Sequence, residues 1–207
     1  MCTCHSELYG KRRRTFLEAI AANEPDSVAV FAAAPVFTRN NDVEHEYRQD
    51  SDLFYLTGFA EPGTVLVLDA KEKKTTMFVR PRDPERETWD GPRAGVDGVK
   101  AHFGADEAFT TDKVAEELPK LFQNKKRLYY RLGPNRAFDD KILEGLDRAR
   151  ARGRLGFSWP VEIVDPGTIL HEMRLFKSSD DLASMRRAAD ITAEAHIRAM
   201  KATKPGM

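Results

Sequence analysis

The chain has 207 residues, of which 33 are Lys or Arg and 33 are Asp or Glu, so its formal net charge is zero. Both signs of charge are spread along the sequence, which argues against a nucleic-acid-binding protein, because such proteins carry a basic stretch or face. Hydrophobic residues make up 41% of the chain, with 12 Phe and 5 Tyr, and this content excludes a chain that is mainly disordered.

The sequence predicts neither a membrane anchor nor export. Its longest apolar stretch, residues 28–37, is interrupted by Pro35 and is far shorter than the roughly 20 residues of a membrane-spanning helix. The basic residues 11–14 are not followed by the apolar segment of a secretory signal. A cytoplasmic location is therefore expected.

The two cysteines, Cys2 and Cys4, lie at the extreme N-terminus, where they cannot cross-link a fold. Together with His5 they offer ligands to a soft metal ion. Chain ends fray, however, and a disordered tail is the alternative expectation.

The first part of the chain predicts a helix followed by strands. Apolar residues at helical spacing predict an amphipathic helix over residues 7–22. A β-branched run predicts a strand at 27–31, and the polar stretch 38–52 predicts a loop. Three further strands are expected, at residues 53–57, 65–69 and 75–80. A charged five-residue turn separates the last two, which predicts an antiparallel hairpin.

Helices and strands are expected to alternate after an irregular segment, 81–98, that is rich in Pro, Gly and charge and holds Trp89. The expected helices are 99–103, 111–122 with Thr111 or Asp112 as its cap, and 135–151, capped by Asn135 or begun after Pro134. The expected strands are 127–131 and 161–164. This alternation predicts an α/β domain with a mixed β-sheet flanked by α-helices.

A long C-terminal helix is expected to start at Ser178 or Ser179 and to stop before Pro205. Asp180 and Asp181 suit its first turn, where the helix dipole favours negative charge. Its apolar stripe is small and rich in alanine, which is typical of a helix that packs closely against a further segment. The chain is therefore expected to be cut from a longer protein.

The candidate metal site is the polar stretch 41–52, which holds five carboxylates and His45. Carboxylates with an imidazole are ligands that divalent cations take. The alternative is a hydrogen-bonded loop whose carboxylates cap strands and pair with Arg39 and Arg48. His171 and Glu172 lack the second His of a zinc-protease helix, and no G-x-S-x-G or phosphate-binding glycine motif is present.

The basic residues at 125–127 and the arginines at 148, 150, 152 and 154 raise a nucleic-acid surface as a further possibility. Acidic residues lie among them and no paired aromatic residues accompany them. A solvated helix face is the expected interpretation, and no nucleic-acid partner is expected.

Two longer segments resemble a known family. Residues 47–59, YRQDSDLFYLTGF, with Glu61, Pro62 and the strand VLVLD, resemble a signature of the N-terminal domain of Xaa-Pro aminopeptidases (aminopeptidase P). Residues 171–178, HEMRLFKS, and the later RRAADITAEAHIRAMKATKPGM resemble the junction into the catalytic domain of that family. The resemblance implies a creatinase/prolidase-type, ribonuclease-H-like domain over residues 1–175. Residues 176–207 would be a linker and the first helix of the pita-bread catalytic domain.

The family resemblance also implies a function. Its members remove an N-terminal residue that precedes proline, using two divalent metal ions, usually manganese, held by two Asp, one His and two Glu. Those ligands lie beyond the PGM motif, so this chain is expected to hold no metal and to be inactive alone. The implied partners are its own catalytic domain, a neighbouring subunit of a homo-oligomer, and, in the parent enzyme, a peptide with proline second.

The implied role of this domain is to restrict access to the active site and to aid subunit association. Trp89, in RDPERETWDG, matches a tryptophan that reaches the active-site rim of a neighbouring subunit; the alternative is a side chain packed on its own domain. Arg154 matches an arginine that approaches the substrate, with Arg152 as its rival. Two other hypotheses are a free-standing interaction module derived from a peptidase and a small hydrolase that uses a metal at His45.

Overall fold

The computed structural model describes residues 3–207, apart from the side chains of residues 3–6 and 90. The residues of the predicted soft-metal site, Cys2, Cys4 and His5, therefore lie outside the described side chains. The chain divides into two compact units, the first ending at Leu170 and the second comprising His171–Met207.

Among the described residues the strands form one mixed sheet and one small hairpin. In chain order they are β1 (Ser27–Ala32), β2 (Thr38–Asn40), β3 (Val43–Glu44), β4 (Val65–Asp69), β5 (Lys74–Val79), β6 (Glu107–Thr110), β7 (Arg127–Tyr129) and β8 (Glu162–Val164). The sheet order is β6-β5-β4-β1-β7-β8, and β4 is antiparallel to both of its neighbours. The other neighbouring pairs of this sheet are parallel, so β1, β5, β6, β7 and β8 run in one direction.

The helices are α1 (Thr3–Asn23), α2 (Ser51–Thr57), α3 (Pro84–Asp90), α4 (Gly95–Phe103), α5 (Val114–Leu121), α6 (Arg136–Ala151), α7 (Gly167–Leu175) and α8 (Ser179–Ala202). Those of the first unit flank the sheet on both faces. Val28 and Val30 of β1 point to one face, where they join a core with α5 and α6. Phe31 points to the other, where its ring centroid lies 5.6 Å from that of Phe16 of α1. This alternation confirms the predicted α/β fold with a mixed, helix-flanked sheet.

The predicted hairpin is confirmed by the antiparallel register of β4 and β5, in which Val67 pairs with Thr76. The predicted strand at 53–57 is wrong, because this segment is α2. Asp50 caps the helix by accepting from the N–H groups of Asp52 and Leu53, and Gly58 ends it in the left-handed conformation. These two end signals outweigh the aromatic content that suggested a strand.

Other differences concern short elements. The loop predicted at 38–52 contains the hairpin β2–β3, and the irregular segment 81–98 contains α3 and the start of α4. Thr111 and Asp112 do not cap α5, since both lie in a 3₁₀ turn, Thr111–Lys113, that precedes it. Strand β6 and helix α7 lie in segments for which the sequence predicted no element. The predicted cap Asn135 is confirmed, and its side chain accepts from Phe138 N–H at 3.2 Å.

The second compact unit contains the predicted long C-terminal helix, α8. Ser178 caps it, and Asp181 returns a hydrogen bond to the Ser178 N–H at 2.9 Å, which completes a capping box. None of the described helices combines the length and apolar character needed to cross a bilayer.

Candidate functional site

Gln49 organises the centre of the segment 47–61 by joining three parts of the chain. Its buried side chain accepts from the N–H groups of Ala34 and Asp50, at 3.2 and 2.9 Å, and from the Tyr47 hydroxyl at 2.8 Å. It also donates to the Glu61 carbonyl at 3.0 Å. Burial, reinforced by the charge of Asp50, raises the pKa of Tyr47 to about 12. Gln49 therefore holds the residues that follow β1 against this segment, which is a structural role.

Thr57 and Gly58 shape the end of α2. The Thr57 hydroxyl donates to the Leu53 carbonyl at 2.7 Å and accepts from the Phe59 N–H at 3.0 Å. Gly58 has φ +66°, and a Cβ there would lie 2.2 Å from the ring of Tyr9. The TGF part of the motif therefore sets a helix end against α1.

Arg12 and Arg13 of the basic N-terminal run bind inside the first unit. The Arg12 guanidinium lies 4.1 Å from the centroid of the Tyr55 ring. The buried Arg13 donates to the carbonyls of Leu56 and Gly104, at 2.9 and 3.1 Å, where α2 and α4 end. Burial lowers the pKa of Arg13 to about 10, although the nearby Asp106 opposes this change.

The carboxylates predicted as metal ligands are not gathered into a site. His45, Glu44 and Asp42 are exposed on or beside the small hairpin, and Asp50 is engaged as the cap of α2. Over the described part of the chain, no group of three or more His, Cys, Asp or Glu side chains is placed to hold a metal ion. The described side chains do not fit the paired metal ions of a hydrolytic centre.

The cations of the basic stretch 125–127 are paired with acids. Lys125, 7% exposed, contacts Asp69 at 2.6 Å, and Arg127 contacts Glu162 at 2.7 Å. On α6, Arg148 lies 3.8 Å from Glu144. Arg148 is exposed, as predicted for a solvated helix face, whereas Lys125 is buried and pairs within the domain.

Trp89 lies near the end of α3 and is 89% exposed. It is the most exposed large hydrophobic residue of the first unit among the described residues, and it does not pack back onto its own domain. Asp83 caps this short helix by accepting from the Arg86 N–H at 3.2 Å, and Pro84 occupies its first position. An aromatic side chain on such a helix is suited to insertion into a partner surface.

Arg152 and Arg154 flank Gly153 in a 3₁₀ turn, Arg152–Leu155, that follows α6. A Cβ on Gly153 would lie 2.5 Å from the ring of Trp159, which packs against the core. This close approach fixes the position of the turn, and both arginines of the turn are exposed. Arg152 lines a surface depression shared with Lys120 of α5, whereas Arg154 does not.

Trp89 and Arg154 lie on two different connections of the sheet. Trp89 follows the carboxyl end of β5, and Arg154 precedes the amino end of β8. Since β5 and β8 run in the same direction, the two connections meet the sheet at opposite ends of its strands.

Sequence reasoning missed the contacts that hold the Trp89 segment. Arg82 donates to both carboxylate oxygens of Glu87, at 2.7 and 2.8 Å, and Glu61 accepts from the Ala94 N–H at 2.8 Å. The signal that was available is the acidic residue Glu87 in the first turn of a segment opened by Asp83 and Pro84, which is a helix start.

Comparison with known proteins agrees with this fold. Residues 9–129 match the family model "Aminopeptidase P, N-terminal domain". The chain is 37% identical over 202 residues to the Xaa-Pro aminopeptidase of Escherichia coli and 31% identical over 195 residues to human Xaa-Pro aminopeptidase 3. These alignments cover 96% and 90% of this chain, but only 45% and 37% of the relatives.

The solved structures give the same result. Aminopeptidase PepP of Pseudomonas aeruginosa superimposes with a TM-score of 0.92 and 42% identity, covering all of this chain and 46% of that one. A zinc-substituted E. coli aminopeptidase P in complex with product gives the same score at 36% identity. The chain thus spans about half the length of these solved proteins. It belongs to the aminopeptidase P N-terminal domain family.

Proposed function

We propose that the chain serves as the non-catalytic N-terminal domain of a metal-dependent Xaa-Pro aminopeptidase, a hydrolase that removes the N-terminal residue preceding proline. The observation that carries the proposal is the agreement over the whole chain, with a TM-score of 0.92, with solved aminopeptidase P. Other structures of that enzyme type are described as complexes with substrate and with product. The peptidase activity belongs to the complete protein, whose two divalent ions, manganese in this proposal, are bound by another domain.

The proposed domain division assigns residues 1–175 to the N-terminal domain and 176–207 to the linker and first helix of the catalytic domain. Support comes from α8, on which the exposed apolar side chains of Leu182, Met185, Ile197 and Met200 fall on one face at about 3.6 residues per turn, while Ile191 falls on the opposite face. Apolar side chains aligned along one helix mark a surface that is covered by another protein segment. In the proposal that segment is the chain's own catalytic domain.

Trp89 and Arg154 are the proposed contributions of this domain to substrate binding. Their connections meet the sheet at opposite ends of its strands, which supports the idea that they serve different active sites. In a homo-oligomer, Trp89 would lie at the active-site rim of a neighbouring subunit and restrict access to it. Arg154, or its neighbour Arg152, would approach the substrate. The oligomer is proposed to act in the cytoplasm, where Cys2 and Cys4 would stay reduced.

The test compares this 207-residue chain with the complete protein on an Xaa-Pro-Xaa tripeptide in the presence of Mn²⁺. We expect turnover by the complete protein and none by the chain alone. Trp89→Ala, and one of Arg152→Ala and Arg154→Ala, should raise KM in the complete protein. Turnover by the chain alone would refute the assignment as a non-catalytic domain. If the complete protein is also inactive, the alternative hypothesis of a protein-interaction module derived from a peptidase would be favoured.

A further inference from the structure

We infer that Arg82 and Glu87 are positioning residues for Trp89, which they hold in place by keeping α3 folded. The inference rests on the proposed function, because it concerns how this domain presents Trp89 to a substrate-binding site. Neither residue touches that site in the inference, and each acts through the helix.

Packing does not hold α3 in place. The helix has seven residues, and isolated helices shorter than about 12 residues are marginal in water. Its one large apolar side chain, Trp89, is exposed, so little apolar burial offsets the entropy of folding it. Its order must therefore come from polar contacts at its ends.

Glu87 supplies most of those contacts. Its carboxylate receives two hydrogen bonds from Arg82 and a third from the Asp83 N–H at 3.2 Å. Its side chain is only 10% exposed, although it lies on a surface helix. A bidentate arginine pair fixes orientation as well as distance, because the planar guanidinium matches the carboxylate. These bonds close the residues before α3 onto its first turn, two residues before Trp89.

Arg82 connects this arrangement to the rest of the fold. A Cβ on Gly95 would lie 2.8 Å from Cγ of Arg82, so the arginine stem lies directly against the first residue of α4. The preceding residue, Ala94, donates its N–H to Glu61. A continuous series of contacts therefore runs from Glu61 to the start of α4, and from there through Arg82 to Glu87. Trp89 lies two residues beyond Glu87.

The first experiment measures the local mobility of Trp89 in this chain, labelled with 5-fluorotryptophan and observed by ¹⁹F NMR. Trp89→Phe assigns the two tryptophan signals. We expect Glu87→Ala to narrow and shift the Trp89 signal toward that of a free residue, with the Trp159 signal unchanged. Arg82→Lys, which keeps the charge but loses the bidentate geometry, should give a smaller change in the same direction. Glu85→Ala is the matched control, since Glu85 is exposed on the same helix.

The second experiment measures kinetics of the complete protein on an Xaa-Pro peptide. Glu87→Ala should raise KM by on the order of tenfold, as expected for the loss of about one well-placed contact, with a much smaller change in kcat. In a Trp89→Ala background Glu87→Ala should add little. An additive effect of the two changes would overturn the inference.

The two experiments separate this inference from the proposed function. Equal Trp89 spectra for Glu87→Ala and Glu85→Ala would refute the positioning role regardless of activity. If the spectra change as expected but Trp89→Ala has no effect on KM, then Arg82 and Glu87 do hold α3 in place, and the proposed role of Trp89 in substrate binding is wrong.

Discussion

Gly58 lies against the ring of Tyr9 so closely that a Cβ on the glycine would come within 2.2 Å of Tyr9 Cε2. The same glycine has φ +66°, a conformation that other residues adopt at a cost. Its N–H also bonds to the Phe54 carbonyl at 2.7 Å and ends α2. The glycine is therefore required both by its backbone conformation and by the approach of α1.

Gly58→Ala should destabilise the first unit by about 2 kcal/mol or more, because the methyl group adds a steric clash to the left-handed backbone cost. Urea unfolding followed by circular dichroism measures the change. Gly63→Ala is the matched control: its φ is +71°, but its Cβ would meet only the flexible Arg80 side chain, at 3.6 Å. Equal losses for the two variants would show that the Tyr9 contact contributes nothing.

Arg13→Met should cost about 2–4 kcal/mol in unfolding free energy. The substitution keeps an apolar stem but leaves the Leu56 and Gly104 carbonyls without their charged donor, and one of these is buried. Arg14→Met serves as the control, since Arg14 is exposed and should change stability by less than about 0.5 kcal/mol. A similar small change for Arg13→Met would contradict the role assigned to its two hydrogen bonds.

The sequence allowed the α/β class, the central hairpin and the ends of α6 and α8 to be predicted, because Asn135 and Ser178 are local signals. It failed at α2, where aromatic residues suggested a strand although Asp50 and Gly58 mark a helix. The sheet order could not be predicted, since it depends on contacts between distant segments. The same holds for the candidate site: Trp89 was visible as an isolated aromatic residue, but its bonding network was not.

Asp50 was a candidate metal ligand, and the structure makes it a helix cap. Asp50→Ala should lower the unfolding free energy by about 1 kcal/mol through the loss of two N–H partners at 2.9 Å, and Asp50→Asn should recover most of it. Addition of Mn²⁺ or EDTA should leave the thermal midpoint of this chain unchanged. A midpoint that rises with Mn²⁺ in the parent and not in Asp50→Ala would instead indicate a metal site at this loop.

The raised pKa of Tyr47 predicts that the folded chain loses stability at alkaline pH. Its pKa is raised to about 12, first by burial and then by the charge of Asp50, whereas tyrosine in an unfolded chain titrates near about 10. Between these values the unfolded chain releases a proton that the folded chain retains. The stability from the neutral phenol is therefore complete below about pH 10 and is lost as the pH rises toward 12.

Tyr47→Phe isolates this contribution, because phenylalanine has no proton to release. At neutral pH the variant should be less stable by about 1 kcal/mol, since it loses the hydrogen bond to Gln49. The difference from the parent should shrink as urea unfolding is repeated at increasing pH above about 10. Burial also raises the pKa of Tyr130, but this residue is present in both proteins and cancels in the comparison. If the difference in unfolding free energy between the parent and Tyr47→Phe stays constant from about pH 9 to about 11.5, the prediction is wrong. The Tyr47 phenol would then have the same pKa in the folded and the unfolded chain.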